Sequence, residues 1–172
     1  MNAADEKTIF GNNLLVLINQ RNWTIQQAAI ELGYNRNSLS KLLVGSKNFR
    51  LETAIKFAKY FDISLFLLFS RLFKDNNYRT HFRFVDADYM DLIRKNFRAS
   101  STRQSEVQLV PTTVSHIMHG KRSNLTINTL CQISSATSKP LAELLKTDLD
   151  KEKENFLKED DKWYSHHIMT KH

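Results

Sequence analysis

Residues 23–45 read WTIQQAAIELGYNRNSLSKLLVG, and their spacing decides the fold. Thr24 stands where a helix begins, because its hydroxyl accepts from one of the free backbone N–H groups of a first turn. Trp23, just before it, is placed to staple against Ala28. Ala28, Ala29 and Leu32 then share one face. Gly33 follows, with no Cβ to oppose the left-handed backbone on which helices end. Asn35 caps the next helix, whose Leu39, Leu42 and Leu43 fall inward at helical spacing, and Gly45 closes it. Two short helices joined by a tight glycine turn are predicted.

The pattern continues on both sides. Upstream, Ile9, Phe10, Leu14, Leu17 and Ile18 repeat at helical spacing. Downstream, Leu51, Ala54, Phe57, Ala58 and Phe61 mark a fourth helix, and Ser64 caps a short fifth one. The chain then repeats itself. Residues 33–45 match 108–120 (QLVPTTVSHIMHG) at an offset of 75: Leu39 faces Val114, Ser40 faces Ser115, and Gly45 faces Gly120. Past the glycine the offset is 76, so Leu51–Ala54 faces Ile127–Leu130 and Leu68-Phe69 faces Leu144-Leu145. The predicted organisation is all-α, with two tandem five-helix modules at 7–70 and 85–147, a linker over 71–84 and a charged helical tail over 148–172.

A helix, a short turn and a second helix make a helix-turn-helix unit. The first module resembles the Cro/cI-type (XRE family) helix-turn-helix domain through residues 23–45 and LETAIKFAKYFDISLFLLF at 51–69. The second is similar through VPTTVSHIMHGKR and INTLCQISSATSKPLAELL. It departs in its second helix, where Arg103 and Gln104 stand in place of Ala28 and Ala29, and Gln108 replaces the turn glycine. The resemblance implies a sequence-specific DNA-binding regulator of transcription, a repressor of prokaryotic, phage or mobile-element origin, acting as a homodimer in the cytoplasm.

In this motif the N-terminal part of the third helix reaches base edges in the major groove. With its leucines inward, the first module turns Arg36, Asn37, Ser40 and Lys41 outward. Arginine and lysine suit guanine, and asparagine pairs with adenine. The matching outward set in the second module is Thr112, Thr113, Ser115 and His116, with His119 behind them, and Pro111 opens that helix without needing an N–H. Phosphate contacts are expected from Gln26 and Gln27, from Lys47, Asn48 and Arg50 after Gly45, and from Lys121, Arg122 and Asn124 after Gly120.

Charge agrees with a polyanionic partner. Of the net +7, the first 147 residues carry +9 and the last 25 carry −2. Within the linker, Arg71, Lys74, Arg79 and Arg83 alternate with Phe73, Tyr78, Phe82 and Phe84; the aromatics are expected to pack between modules, with a turn at Asn76-Asn77. The fifth helix, LFLLF at 65–69, is apolar all round and must be covered all round. Its Phe66 and Leu67, extended by Leu72 and Phe73, are expected to form an interface with the other module or with a second chain.

Other classes are excluded by composition and motif. One cysteine in 172 residues makes no internal disulfide, and Cys131 reads as a small core residue. Apolar runs such as Leu65–Phe69 fall far short of the roughly 18 residues of a membrane helix. The polar N-terminus does not read as a signal peptide. No phosphate loop, zinc-protease or nucleophile-elbow motif occurs, so neither an enzyme nor a cofactor is expected. His166, His167 and His172 beside Asp160 and Asp161 match no metal spacing. The alternative to DNA reading is a protein-interaction module on the same fold, as in antitoxins or phage-encoded inhibitors of bacterial nucleases.

Overall fold

Capping chemistry sets where the helices start. A computed structural model describes residues 3–100, 102–122 and 124–169, with side chains from 4 to 159. The first module contains α1 (Ala3–Gln20), α2 (Ile25–Glu31), α3 (Arg36–Leu43), α4 (Leu51–Phe61) and α5 (Leu65–Leu68). A 3₁₀ turn (Arg71–Lys74) and α6 (Asn76–His81) lead to α7 (Tyr89–Ala99). A second 3₁₀ turn (Gln104–Glu106), α8 (Pro111–Met118), α9 (Ile127–Thr137), α10 (Leu141–Leu144) and α11 (Asp148–Met169) follow. No strand occurs among the described residues, which include one isolated antiparallel bridge, Arg50 with Thr126.

The element order recurs at the offsets read from the sequence. Helix α8 lies 75 residues after α3, and α9 and α10 lie 76 after α4 and α5. The closing glycines have nearly equal left-handed backbones, φ 71° at Gly45 and 74° at Gly120. Asp62 and Ser138, also 76 apart, end α4 and α9 with φ 50° and 54°. Each first helix also supplies an asparagine to the end of a fifth helix. Asn13 Nδ2 donates to the Leu68 carbonyl (3.0 Å), and Asn96 Nδ2 to that of Leu144 (3.0 Å).

The recurrence breaks at helix two. Residues 21–35 separate α1 from α3, whereas only residues 100–110 separate α7 from α8. The second connection is four residues shorter, about one helical turn. It holds the 3₁₀ turn where α2 would lie, followed by buried Val107.

Three local expectations are corrected. Asn76-Asn77 opens α6 instead of making a turn, because Asp75 Oδ1 accepts the Asn77 N–H (2.8 Å) and caps the helix. Ser64 precedes α5, but its buried hydroxyl makes no cap bond; its N–H instead reaches the Phe82 carbonyl (3.0 Å). Trp23 packs with Tyr60 and Phe61 (ring centroids 6.1 and 6.3 Å apart), which offer more apolar area than the Ala28 methyl.

One apolar core runs from Phe10 on α1 to Leu157 on α11. Helix α5 packs on α10, and α1 packs on α9. Phe66, Leu67 and Phe73 are fully buried within the chain and Leu72 is half-exposed, so the apolar fifth helix joins the two halves of one molecule. Phe66 meets Phe82, which stacks on Tyr78, and the linker aromatics pack while Arg71, Lys74 and Arg83 face solvent. Glu6 on α1 accepts the Leu141 N–H at the start of α10 (3.0 Å); burial pushes its carboxyl above the usual range.

Lys146, buried after α10, bonds Glu143 (2.5 Å) and Glu154 of α11 (2.8 Å) and lies 4.5 Å from the Phe66 ring centre. It therefore ties the tail helix to both modules. On α11, Leu157 is buried, while its neighbour Phe156 is exposed. The side chains of Trp163, Tyr164, Asp160, Asp161, His166, His167 and His172 lie outside the described residues.

Gly11 lies where α1 crosses the end of α3. A Cβ there would sit 2.2 Å from the Leu43 carbonyl oxygen and 2.8 Å from that of Leu42, both backbone atoms. Overpacking of this kind costs about 1–3 kcal/mol. Gly11→Ala is therefore expected to lower the urea midpoint clearly, although alanine favours helix; an unchanged midpoint would show that α1 shifts freely.

Candidate nucleic-acid interface

Helix α3 is held from both ends. Asn35 Oδ1 accepts the Ser38 N–H (3.1 Å) at its start. At its end, the Lys41 carbonyl accepts the N–H groups of Ser46 (3.0 Å) and Lys47 (3.2 Å). Leu39, Leu42 and Leu43 are buried, which fixes the rotation of the helix. Arg36, Asn37, Ser40 and Lys41 are consequently all exposed along one outward row, and Val44 at 71% exposure extends it. That row combines charged donors, an amide able to donate and accept, and a branched apolar group. These are the chemistries that base edges and the thymine methyl offer to a side chain.

Helix α2 supports this row. Thr24 Oγ1 accepts the Gln27 N–H (3.2 Å), and Gln27 Oε1 accepts the Thr24 N–H (2.9 Å), a reciprocal capping box. The Gln27 carbonyl oxygen is thus engaged in holding α2, whereas Gln26 is exposed without that duty. Helix α2 packs against α3, and the Gly33 turn between them has φ 59°.

After Gly45 the loop divides its work. Arg50 is exposed in its side chain while its backbone makes the bridge to Thr126. Asn48 Oδ1 accepts the Asn128 N–H (3.2 Å), so it caps α9 of the other module. Lys47 is half-buried, with Nζ 5.1 Å from the Tyr34 ring centre.

The corresponding helix α8 is built alike. Val114, Ile117 and Met118 are buried, and Thr112, His116 and His119 are exposed, with Thr113 and Ser115 half-exposed. The His116 carbonyl accepts from Lys121 (2.8 Å) and Arg122 (3.3 Å), repeating the Lys41 arrangement, and both cationic side chains are exposed. His119 Nδ1 lies 2.8 Å from the Ser115 carbonyl. A carbonyl only accepts, so Nδ1 carries the hydrogen in this contact.

One of the residues expected at phosphate is engaged within the chain instead. Asn124 Nδ2 donates to Glu52 Oε2 (2.7 Å), the counterpart of the Asn48 contact. Asn124 follows Gly120 as Asn48 follows Gly45. Elsewhere, burial pushes the Cys131 thiol up to about 12, which leaves it inert at neutral pH. No helix among the described residues is long and apolar enough to cross a membrane.

Comparison with known proteins agrees with the geometry of the first module. Residues 16–68 match the helix-turn-helix family, in its Cro/cI-type branch. The match does not extend to residues 85–147. No curated protein and no solved structure matches the chain.

Proposed function

Taking residues 16–68 as a helix-turn-helix domain, which implies DNA binding in a family that is typically non-enzymatic, we propose that the chain is a sequence-specific, DNA-binding regulator of transcription. The observation that carries this reading is the exposed row Arg36, Asn37, Ser40 and Lys41 on a helix fixed at both ends. Arg36 and Asn37, at the helix start, read bases. Lys41 and Ser40 act one turn on. Gln26, Arg50, Lys121 and Arg122 neutralise or bond phosphates. The second module is a helix-turn-helix derivative that has lost helix two, and its α8 supplies a further reading face. Repression of its own promoter, in a prokaryotic, phage or mobile-element setting, is the regulatory role proposed.

Arg36→Ala and Lys41→Ala each remove an exposed side chain and leave the core intact. A lost base contact costs about 1–3 kcal/mol, so each variant is expected to bind a selected duplex roughly 5- to 150-fold more weakly. A phosphate-contacting cation would also reduce the slope of log affinity against log salt by about one. Unchanged binding by both variants to every duplex at low salt removes the reading. The loss of helix two in the second module favours one other use of that half, docking of a protein partner. Deleting the charge of Lys121 and Arg122 separates the two, because a DNA role alone carries the salt slope.

A further inference from the structure

The contact between the two modules is reciprocal. The Leu51 N–H donates to the Leu125 carbonyl (2.8 Å), and the Ile127 N–H donates to the Phe49 carbonyl (2.8 Å). Residues 51 and 127 differ by 76, as do 49 and 125. Between these bonds lies the bridge of Arg50 with Thr126, again 76 apart. The side chains obey the same exchange: Asn48 reaches position 128, and Asn124 reaches position 52. Helix α5 meets α10, its own counterpart. A contact in which i touches j′ and j touches i′ is the signature of a two-fold interface between identical subunits. Here it is closed inside one chain.

A two-fold rotation leaves direction along its axis unchanged. It therefore relates α3 to α8, so that whatever part of the α3 face points along the axis is shared by the α8 face, with the two glycine-led loops meeting between them. Resting on the DNA-binding reading above, we propose that a single chain is a complete two-half-site reader whose halves recognise different sequences. The first half-site is read by Arg36, Asn37 and Lys41. The second is read by Thr112, His116 and His119, a row with no permanent charge. His116 and His119 are exposed on that face, and their ring nitrogens can hydrogen-bond base edges. A one-turn separation of the half-sites, about 10–10.5 base pairs, is the spacing such a pair of helices fits.

The test selects sites from random duplex DNA with the full chain, then measures mass on the selected duplex by sedimentation. The selection is repeated with Arg36→Ala and with a Thr112→Ala/His116→Ala variant. All three residues are exposed, and circular dichroism checks the fold. Expected are one chain per duplex and two unlike half-sites about 10 base pairs apart. The α8 variant should lose preference in one half-site only and bind roughly 10-fold more weakly. Two chains on a palindrome would overturn the proposal while leaving the DNA-binding reading standing. So would a single half-site indifferent to the α8 variant. Selection of no sequence at all would overturn both.

Discussion

Lys146→Ala is expected to cost about 3–5 kcal/mol of stability, the range for breaking a buried ion pair by removing one partner. The side chain is 4% exposed, and Glu154, 13% exposed, would keep only the exposed Lys158 (3.4 Å) as a counter-charge. The contact with the Phe66 ring goes as well. Urea unfolding followed by circular dichroism measures the loss. The double variant Lys146→Met/Glu154→Leu removes both charges and should recover most of it, since well-packed apolar replacements of buried pairs are often neutral. Failure of the double variant to recover would assign the loss to packing alone.

The same pair gives a pH dependence with a definite sign. Burial works against the Lys146 charge, but the bonds from Glu143 and Glu154 overcome it and hold the ammonium above its usual range. Its stabilisation is therefore present below the ordinary lysine value and lost as pH rises through the raised one. Burial likewise works against Glu154, yet the Lys146 bond holds its carboxyl below the usual range. That part is present above the ordinary glutamate value and lost as pH falls through the lowered one. The difference in stability between the chain and Lys146→Ala should be greatest through neutral pH and shrink at both extremes.

Phe66→Ala is expected to cost about 3–5 kcal/mol, as for a fully buried phenylalanine. Its ring is 1% exposed and touches Phe82 of the linker and Lys146 after α10. Because the ring joins the halves of one chain, the loss should be independent of protein concentration. Unfolding midpoints that rise with concentration in the parent chain and not in the variant would instead place Phe66 between two molecules.

What the sequence made legible was local. The caps Thr24 and Asn35, the glycines at 33, 45 and 120, and the buried leucines of α3 depend on neighbours within a turn or two, so spacing alone located them. The repeat located α8, α9 and α10 at the spacings of α3, α4 and α5 for the same reason. Asn13 with Leu68, Asn48 with Asn128 and Glu6 with Leu141 lie 55, 80 and 135 residues apart, and no periodicity links them. Helix two of the second module was illegible for a different cause. Spacing from α8 places a helix around Arg103 and Gln104, but the chain between α7 and α8 is a turn too short to make the helix and its two connections. At the reading faces, outward positions were legible from the inward ones. The further duties of Gln27, Lys47 and Asn48 were not, because they depend on caps and rings that only the folded loop brings near.

The Arg50–Thr126 bridge is a covalently tethered contact, and tethering changes how it responds to dilution. Separate subunits part company as their number in a cell falls, so occupancy of a paired site drops with the square of concentration below the dimer dissociation constant. Two halves on one chain face each other at a fixed effective concentration, whatever the copy number. Occupancy then follows the first power of concentration. A promoter governed this way responds as a graded dial across scarce copy numbers, where a dissociating pair would act as a threshold.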